Sequence, residues 1–190
     1  MVALRIEDLD QFKAKGVSVD PSYPVGVRTF YSPEDQVHEA LKAVIGSAKF
    51  SVIVAMFGFD DDELAEMLDA FLLDPTMHVQ ITLDKSQAGG VHERAILDKY
   101  KNELRGNSVA IGTSEKSAIM HRKMVIVDGL WRISGSTNWS TSGESLQDNE
   151  LTIINSATVC AEARPILDIE HDHALSQMAA RTLHPSTTNP

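Results

Sequence analysis

The sequence predicts an α/β fold: a mixed β-sheet flanked by helices on both faces. Three observations carry that expectation. Phe50 to Phe57 is a short, nearly continuous apolar run, the pattern of a strand covered on both sides. From Val25 onward, strand-like and helix-like segments alternate. Further on, two apolar segments flank Asp128-Gly129, a dipeptide that closes a hairpin.

The elements follow in order. Residues 1–24 are polar and end in Pro21-Ser22-Tyr23-Pro24, which reads as a short helical arm and a linker before a domain over 25–180. Val27 to Tyr31 is a strand. Ser32-Pro33-Glu34-Asp35 then reads as a helix start, with Ser32 as N-cap, Pro33 at the first helical position and acids in the first turn. Val37, Leu41, Val44 and Ile45 recur at helical spacing up to Gly46. Asp60-Asp61-Asp62 opens a second helix with an apolar face of Leu64, Met67, Leu68 and Phe71, the acids complementing the helix dipole. Met77 to Leu83 is a strand, Lys85 to Gly90 a loop and Val91 to Leu104 a basic-faced helix. Asn107 to Ile111, Lys123 to Val127, Trp131 to Ile133 and Leu151 to Ile154 are the remaining strands. A last helix runs to about Ala180, with Pro165 expected to kink or break it, and 181–190 reads as a loose tail.

Composition narrows the class. With 190 residues, 43% hydrophobic and 23% charged, the chain is globular rather than disordered and long enough for one domain. Its longest apolar stretch, Val52 to Phe59, falls far short of the ~20 residues that span a bilayer. The N-terminus turns acidic at Glu7-Asp8, where a signal peptide needs an apolar core. A cytoplasmic location without stable membrane association is expected. The single cysteine, Cys160, excludes an internal disulfide and a multi-cysteine zinc site, and reads as a small helix residue. The net charge of −10 argues against broad positive coating of nucleic acid. Residues 85–132 nevertheless carry nine basic and five acidic groups, a local +4 that leaves −14 on the remainder. A polyanion site therefore belongs in the middle of the chain.

Chemistry concentrates in His121-Arg122-Lys123, in Asp128, in Gly135-Ser136-Thr137-Asn138 and in Glu150. His121 and Lys123, two apart at the head of a strand, leave by the same face, and Arg122 points away. The hairpin at Asp128-Gly129 returns Ser136 and Asn138 toward the same sheet end. An imidazole, an ammonium, a hydroxyl and a carboxamide gathered there suit a phosphodiester. Imidazole can attack phosphorus or move a proton near neutral pH. Lysine and asparagine can donate to the non-bridging oxygens. Glu150, opening the next strand, could reach the imidazole and fix its tautomer. No metal and no cofactor are expected at this site. The lysine can take the charge role that a divalent ion has in other nucleases.

The pattern His-x-Lys-x4-Asp-x6-Gly-Ser-x-Asn, filled at every fixed position, resembles the signature of the phospholipase D superfamily. A single copy in a chain of this size, over roughly residues 25–180, looks like the superfamily's short bacterial endonucleases. The resemblance implies a phospholipase D-like catalytic domain in which His121 forms a phosphohistidine. Lys123 and Asn138 would bind the phosphate, with Ser136 as helper, and Glu150 would orient the histidine. Asp128 and Gly135 belong to the motif but read as structural. One imidazole cannot both attack phosphorus and protonate the leaving oxygen, so a homodimer sharing one composite, two-fold active site is expected.

The leading reading is a metal-independent phosphodiesterase, an endonuclease acting on DNA or RNA. A phospholipase D or phosphatidyl transferase acting on lipid diesters is the alternative, with apolar Ala118-Ile119-Met120 just before His121 as a lipid path. A third reading is a nuclease subunit whose acidic surface requires a protein partner to supply the substrate. Trp139, directly after Asn138, either stacks on a base or sugar or closes the core. His171-Asp172-His173 is expected to be solvent-exposed, since i and i+2 on a helix do not share a face. The Lys85–Gly90 loop lacks Walker spacing for a nucleotide.

Overall fold

The apolar run at 50–57 becomes the strand on which the sheet is organised. The computed structural model describes residues 3–87 and 107–183. The predicted loop beyond Gln87 and the basic-faced helix at 91–104 lie outside them, as does the tail beyond Leu183.

In chain order the described elements are a 3-10 segment Ile6–Phe12, β1 (Val27–Ser32), α1 (Val37–Gly46), β2 (Ser51–Met56), β3 (Phe59–Asp60), α2 (Asp62–Leu73), β4 (His78–Asp84), β5 (Val109–Gly112), β6 (Lys123–Val127), β7 (Trp131–Gly135), β8 (Trp139–Ser140), α3 (Thr141–Ser145), β9 (Asn149–Asn155) and α4 (Ala157–Leu183). Seven strands form one sheet in the order β1-β9-β7-β6-β2-β4-β5. β2, β4 and β5 are parallel, and β2-β6, β6-β7, β7-β9 and β9-β1 are antiparallel. The sheet is mixed, as the sequence predicts. β3 and β8 add a two-stranded parallel ladder that alternation could not reveal, each being only two residues long.

Residues of β2 alternate between two cores. Val52, Val54 and Met56 face a large core shared with Leu41, Val44, Leu64, Leu68, Val125 and Ile133. Ile53 and Ala55 face a smaller core under α4, with Ile126, Cys160, Ala163 and Leu167. Burial on both faces is why this strand is apolar throughout.

Four local expectations are corrected. α1 begins at Val37, not at Pro33, and Ser32 ends β1 instead of capping a helix. Asp35 explains the delay, because its carboxylate takes the N–H groups of Tyr31 (2.9 Å) and Ala14 (2.6 Å) and the Lys13 ammonium (2.8 Å). Those bonds hold residues 31–35 in a turn. The N-terminal arm does not stand apart: Ile6 and Leu9 are buried in the main core, and Asp10 pairs with Arg28 at 2.5 Å. α4 is continuous through Pro165, which lies on its exposed face beside exposed Ala161, so the carbonyl that loses its helical partner opens to water. His171 is buried, not solvent-exposed, its ring bonded to Thr82 Oγ1 (2.9 Å) and the Asn107 carbonyl (2.6 Å). That burial pushes its pKa down.

Candidate active site

The antiparallel pairing collects chain ends of different origin at one edge of the sheet. Met56, at the end of β2, lies opposite Lys123 at the start of β6, and Gly135, at the end of β7, lies opposite Leu151 near the start of β9. The chain leaves β2 through Phe57-Gly58, and those two residues become the floor of the site.

His121, Lys123 and Asn138 converge on that floor. The His121 ring packs edge-on against Phe57 at 4.6 Å between centroids, and Lys123 Nζ sits 4.8 Å from the same centroid. Phe57 N–H donates to the Arg122 carbonyl (2.9 Å), fixing the strand that carries both residues. Gly58 accepts from Trp139 N–H (2.9 Å) and lies so close to Asn138 that a Cβ would meet its Cγ at 3.0 Å. Sequence reading missed Phe57 and Gly58; their only signal is position at the end of the most apolar strand.

These groups are not used up by the protein. His121 is exposed, and its ring has no hydrogen bond among the described residues. Lys123, 8% exposed, donates to the His121 carbonyl alone among the described residues (3.2 Å), and burial pushes its pKa down. Asn138 Oδ1 is buried without a partner among the described residues. Arg122 points away, bonded by its Nε to Glu170 of α4 at 2.8 Å. Asp84, buried at the end of β4, accepts from Met120 N–H (2.5 Å) and so anchors the loop that delivers His121. No local pattern announces that bond, which spans 36 residues of chain.

The other motif residues are structural or lie apart. Ser136 Oγ donates to Asn149 Oδ1 (2.8 Å) and accepts from Glu150 N–H (3.0 Å), clamping β7 to β9. Gly135 is required because any Cβ there would collide with the Glu150 carbonyl oxygen. Glu150 does not reach His121 within one chain. It is exposed, its carboxylate accepts from Thr152 Oγ1 (3.1 Å), and it lines a separate cleft with Tyr31, Asp35 and Ser136. Leu151 and Ile153 face the core on the Val125 side, and Glu150 and Thr152 leave β9 by the other face. Trp139 closes the core, 1% exposed and edge-on to Phe59 at 5.3 Å, and is not a stacking platform. Asp128 has φ 52° and accepts the N–H groups of Lys49 (2.9 Å), Phe50 (2.8 Å) and Ser51 (2.8 Å).

A groove of about 650 Å³ runs from His121 along α4, lined by Ile119, Met120, Ile166, Ile169 and Glu170. A second cluster, unsuspected from the sequence, lies behind Asn138. His38 Nδ1 is 2.5 Å from Glu144 Oε2 and 3.2 Å from Asp61 Oδ2. Burial and the neighbouring Asp61 push Glu144 up to about 7, against the pull of His38.

Fold and motif together define a phospholipase D-like protein, and the comparisons agree. The family described as "Cardiolipin synthase, PLD-like domain" matches residues 41–168, and the chain belongs to it. A mitochondrial cardiolipin hydrolase from Chlamydomonas reinhardtii is 23% identical over 124 residues, covering 65% of this chain and 52% of that protein. The chain thus spans about half the length of the curated relative it matches. Among solved structures, the phospholipase D family member Nuc from Salmonella typhimurium superposes with a TM-score of 0.64 at 20% identity, covering 77% of this chain and 94% of that one. NucT from Helicobacter pylori gives 0.61 at 18% identity, with 77% and 96% covered. Phosphatidylserine synthase from Haemophilus influenzae gives 0.59 at 11% identity, covering 88% of this chain but 43% of that one. At these identities the likeness is one of fold.

Proposed function

We propose that the protein is a phosphodiesterase that cleaves nucleic acid through a phosphohistidine at His121, in an active site completed by a second copy of the chain. The observation that carries the reading is the gathering of His121, Lys123 and Asn138 on the Phe57-Gly58 floor, each with hydrogen-bonding capacity that the described residues leave unused. A His121 ring nitrogen forms a bond to phosphorus as the P–O bond to the leaving group breaks. The leaving oxygen takes a proton from the partner's His121, which then removes a proton from the water that hydrolyses the phosphohistidine. Lys123 and Asn138 stabilise the charge on the non-bridging oxygens. The partner supplies the second imidazole because one imidazole cannot both attack phosphorus and protonate the leaving oxygen, and among the described residues no side chain hydrogen-bonds the His121 ring. Glu150, turned away, does not serve as the orienting acid in this scheme.

The Salmonella and Helicobacter structures, matched over nearly their whole length, favour the small endonuclease reading, as does the local +4 of residues 85–132. One observation favours lipid diesters instead: the groove beside His121 is walled by Ile119, Met120, Ile166 and Ile169. Among the described residues no helix is long and apolar enough to cross a membrane.

The test offers single- and double-stranded DNA, RNA and cardiolipin vesicles to the purified chain in excess EDTA, below its unfolding temperature. Cleavage of a nucleic acid with labelled phosphate trapped on His121 is expected. Hydrolysis of vesicle lipid alone would transfer the site to lipid diesters. Activity that requires added metal and leaves no phosphohistidine would overturn the mechanism, and sedimentation of a fully active monomer would overturn the shared site.

A further inference from the structure

We propose that His38, Asp61 and Glu144 bind a divalent transition-metal ion of the zinc class, which fastens α1, α2 and α3 together behind the Asn138 loop. Each residue offers one ligand atom, and the three atoms lie within 4.8 Å of one another. Around a four-coordinate zinc with bonds of about 2.1 Å, neighbouring ligand atoms stand roughly 3.4 Å apart. His38 Nδ1 lies 3.2 Å from Asp61 Oδ2, close to that spacing, and 2.5 Å from Glu144 Oε2, a pair that must open by about 1 Å to admit the ion. One imidazole with two carboxylates suits zinc better than magnesium or calcium, which prefer oxygen-only shells.

Two further features go beyond an acidic cluster. Glu144 is 3% exposed, and its Oε1, on the carboxylate that faces His38 and Asp61, is buried without a hydrogen-bond partner among the described residues. A buried carboxylate oxygen left unpaired is costly, and a bound cation removes that cost. The second feature is the outer ring. His38 presents Nδ1 to the two buried acids, while Nε2 faces the exposed Glu63 carboxylate at 3.5 Å, and Lys42 Nζ in turn holds Glu63 at 2.5 Å. That is the carboxylate–histidine arrangement that orients a metal-binding imidazole.

The position gives the ion a role. Ser140, two residues after Asn138, caps α3, accepting the Gly143 N–H at 3.1 Å, and Glu144 is the next residue. Asp61, three residues after Gly58, caps α2 by accepting the Leu64 N–H at 2.7 Å. An ion at this point therefore braces both chain segments that position Asn138, without touching the phosphate site.

The test is zinc binding by the full-length chain, stripped with EDTA and then freed of chelator. Calorimetric titration with zinc chloride is expected to show one zinc per chain, and excess zinc to raise the melting temperature by about 5 °C or more. Glu144→Gln should weaken binding at least tenfold. Asp61→Asn should do the same while retaining an N-cap acceptor for α2, so it carries the test if the first variant fails to fold. His78→Ala, at an exposed histidine of β4, should leave binding unchanged. No uptake at micromolar zinc would overturn the proposal and leave a protonated His38 bridging two acids. Equal affinity in Asp61→Asn would overturn it too. Phosphodiester cleavage is not a readout, so the result is independent of the proposed reaction.

Discussion

Strand β6 has a motif residue at its head, Lys123, and another just past its foot, Asp128, about 15 Å away by strand geometry. At the foot the side chain is engaged by the protein: the Asp128 carboxylate takes the backbone N–H groups of Lys49, Phe50 and Ser51 at the entry to β2. The head differs: among the described residues His121 has no side-chain hydrogen bond, Lys123 holds only a carbonyl, and Asn138 Oδ1 is unpaired. The same short motif thus does two jobs. Polar groups satisfied by the protein build architecture, whereas groups left with spare hydrogen-bonding capacity are the ones that can take a ligand.

The contrast breaks or sharpens under substitution. His121→Ala should lower phosphodiester turnover by roughly 10³-fold or more, with a melting temperature close to that of the parent. A rate within tenfold of the parent would remove His121 from the chemistry. Lys123→Met should cost about 10²-fold in kcat. Because burial pushes the Lys123 pKa down, its charge is lost as pH rises through that lowered value, so the alkaline fall in rate should begin below the ~10.4 of an ordinary lysine. In Lys123→Met that alkaline limb should disappear from the pH–rate profile.

The foot should behave in the opposite way. Asp128→Ala loses three hydrogen bonds and must hold φ 52° without a polar side chain, so denaturant titration should show a loss of about 2 kcal/mol. Turnover per folded molecule should stay within a few-fold. A large kinetic defect at unchanged stability would erase the contrast between the two ends. Gly58→Ala is the finest probe. Its Cβ would meet Asn138 Cγ at 3.0 Å and Oδ1 at 3.1 Å, so Asn138 must shift by a few tenths of an ångström. About tenfold in kcat is expected, with little change in stability.

The same contrast explains what could be read in advance. All seven strands of the main sheet were legible, because apolar runs and the Asp128-Gly129 hairpin are local signals. His121, Lys123 and Asn138 were legible because a motif of fixed spacing across one hairpin becomes a fixed arrangement in space. The bond that the Glu150 carboxylate takes from Thr152 Oγ1 was not legible, because nothing in Asp148-Asn149-Glu150 fixes the rotamer of an exposed side chain at the start of a strand. Ser32 looked like a cap because the turn that displaces it depends on Lys13 and Ala14, some twenty residues upstream of Asp35.

Local pattern was enough for the strand and helix alternation, for the hairpin and for which polar groups gather on the Phe57-Gly58 floor, because each is written within a short stretch of chain. Tertiary structure alone decided that Phe57 and Gly58 form the floor, that Trp139 is core, and that His38, Asp61 and Glu144 meet. Those outcomes depend on which elements pack together across as many as 106 residues of chain, from His38 to Glu144, a separation at which local pattern carries no information.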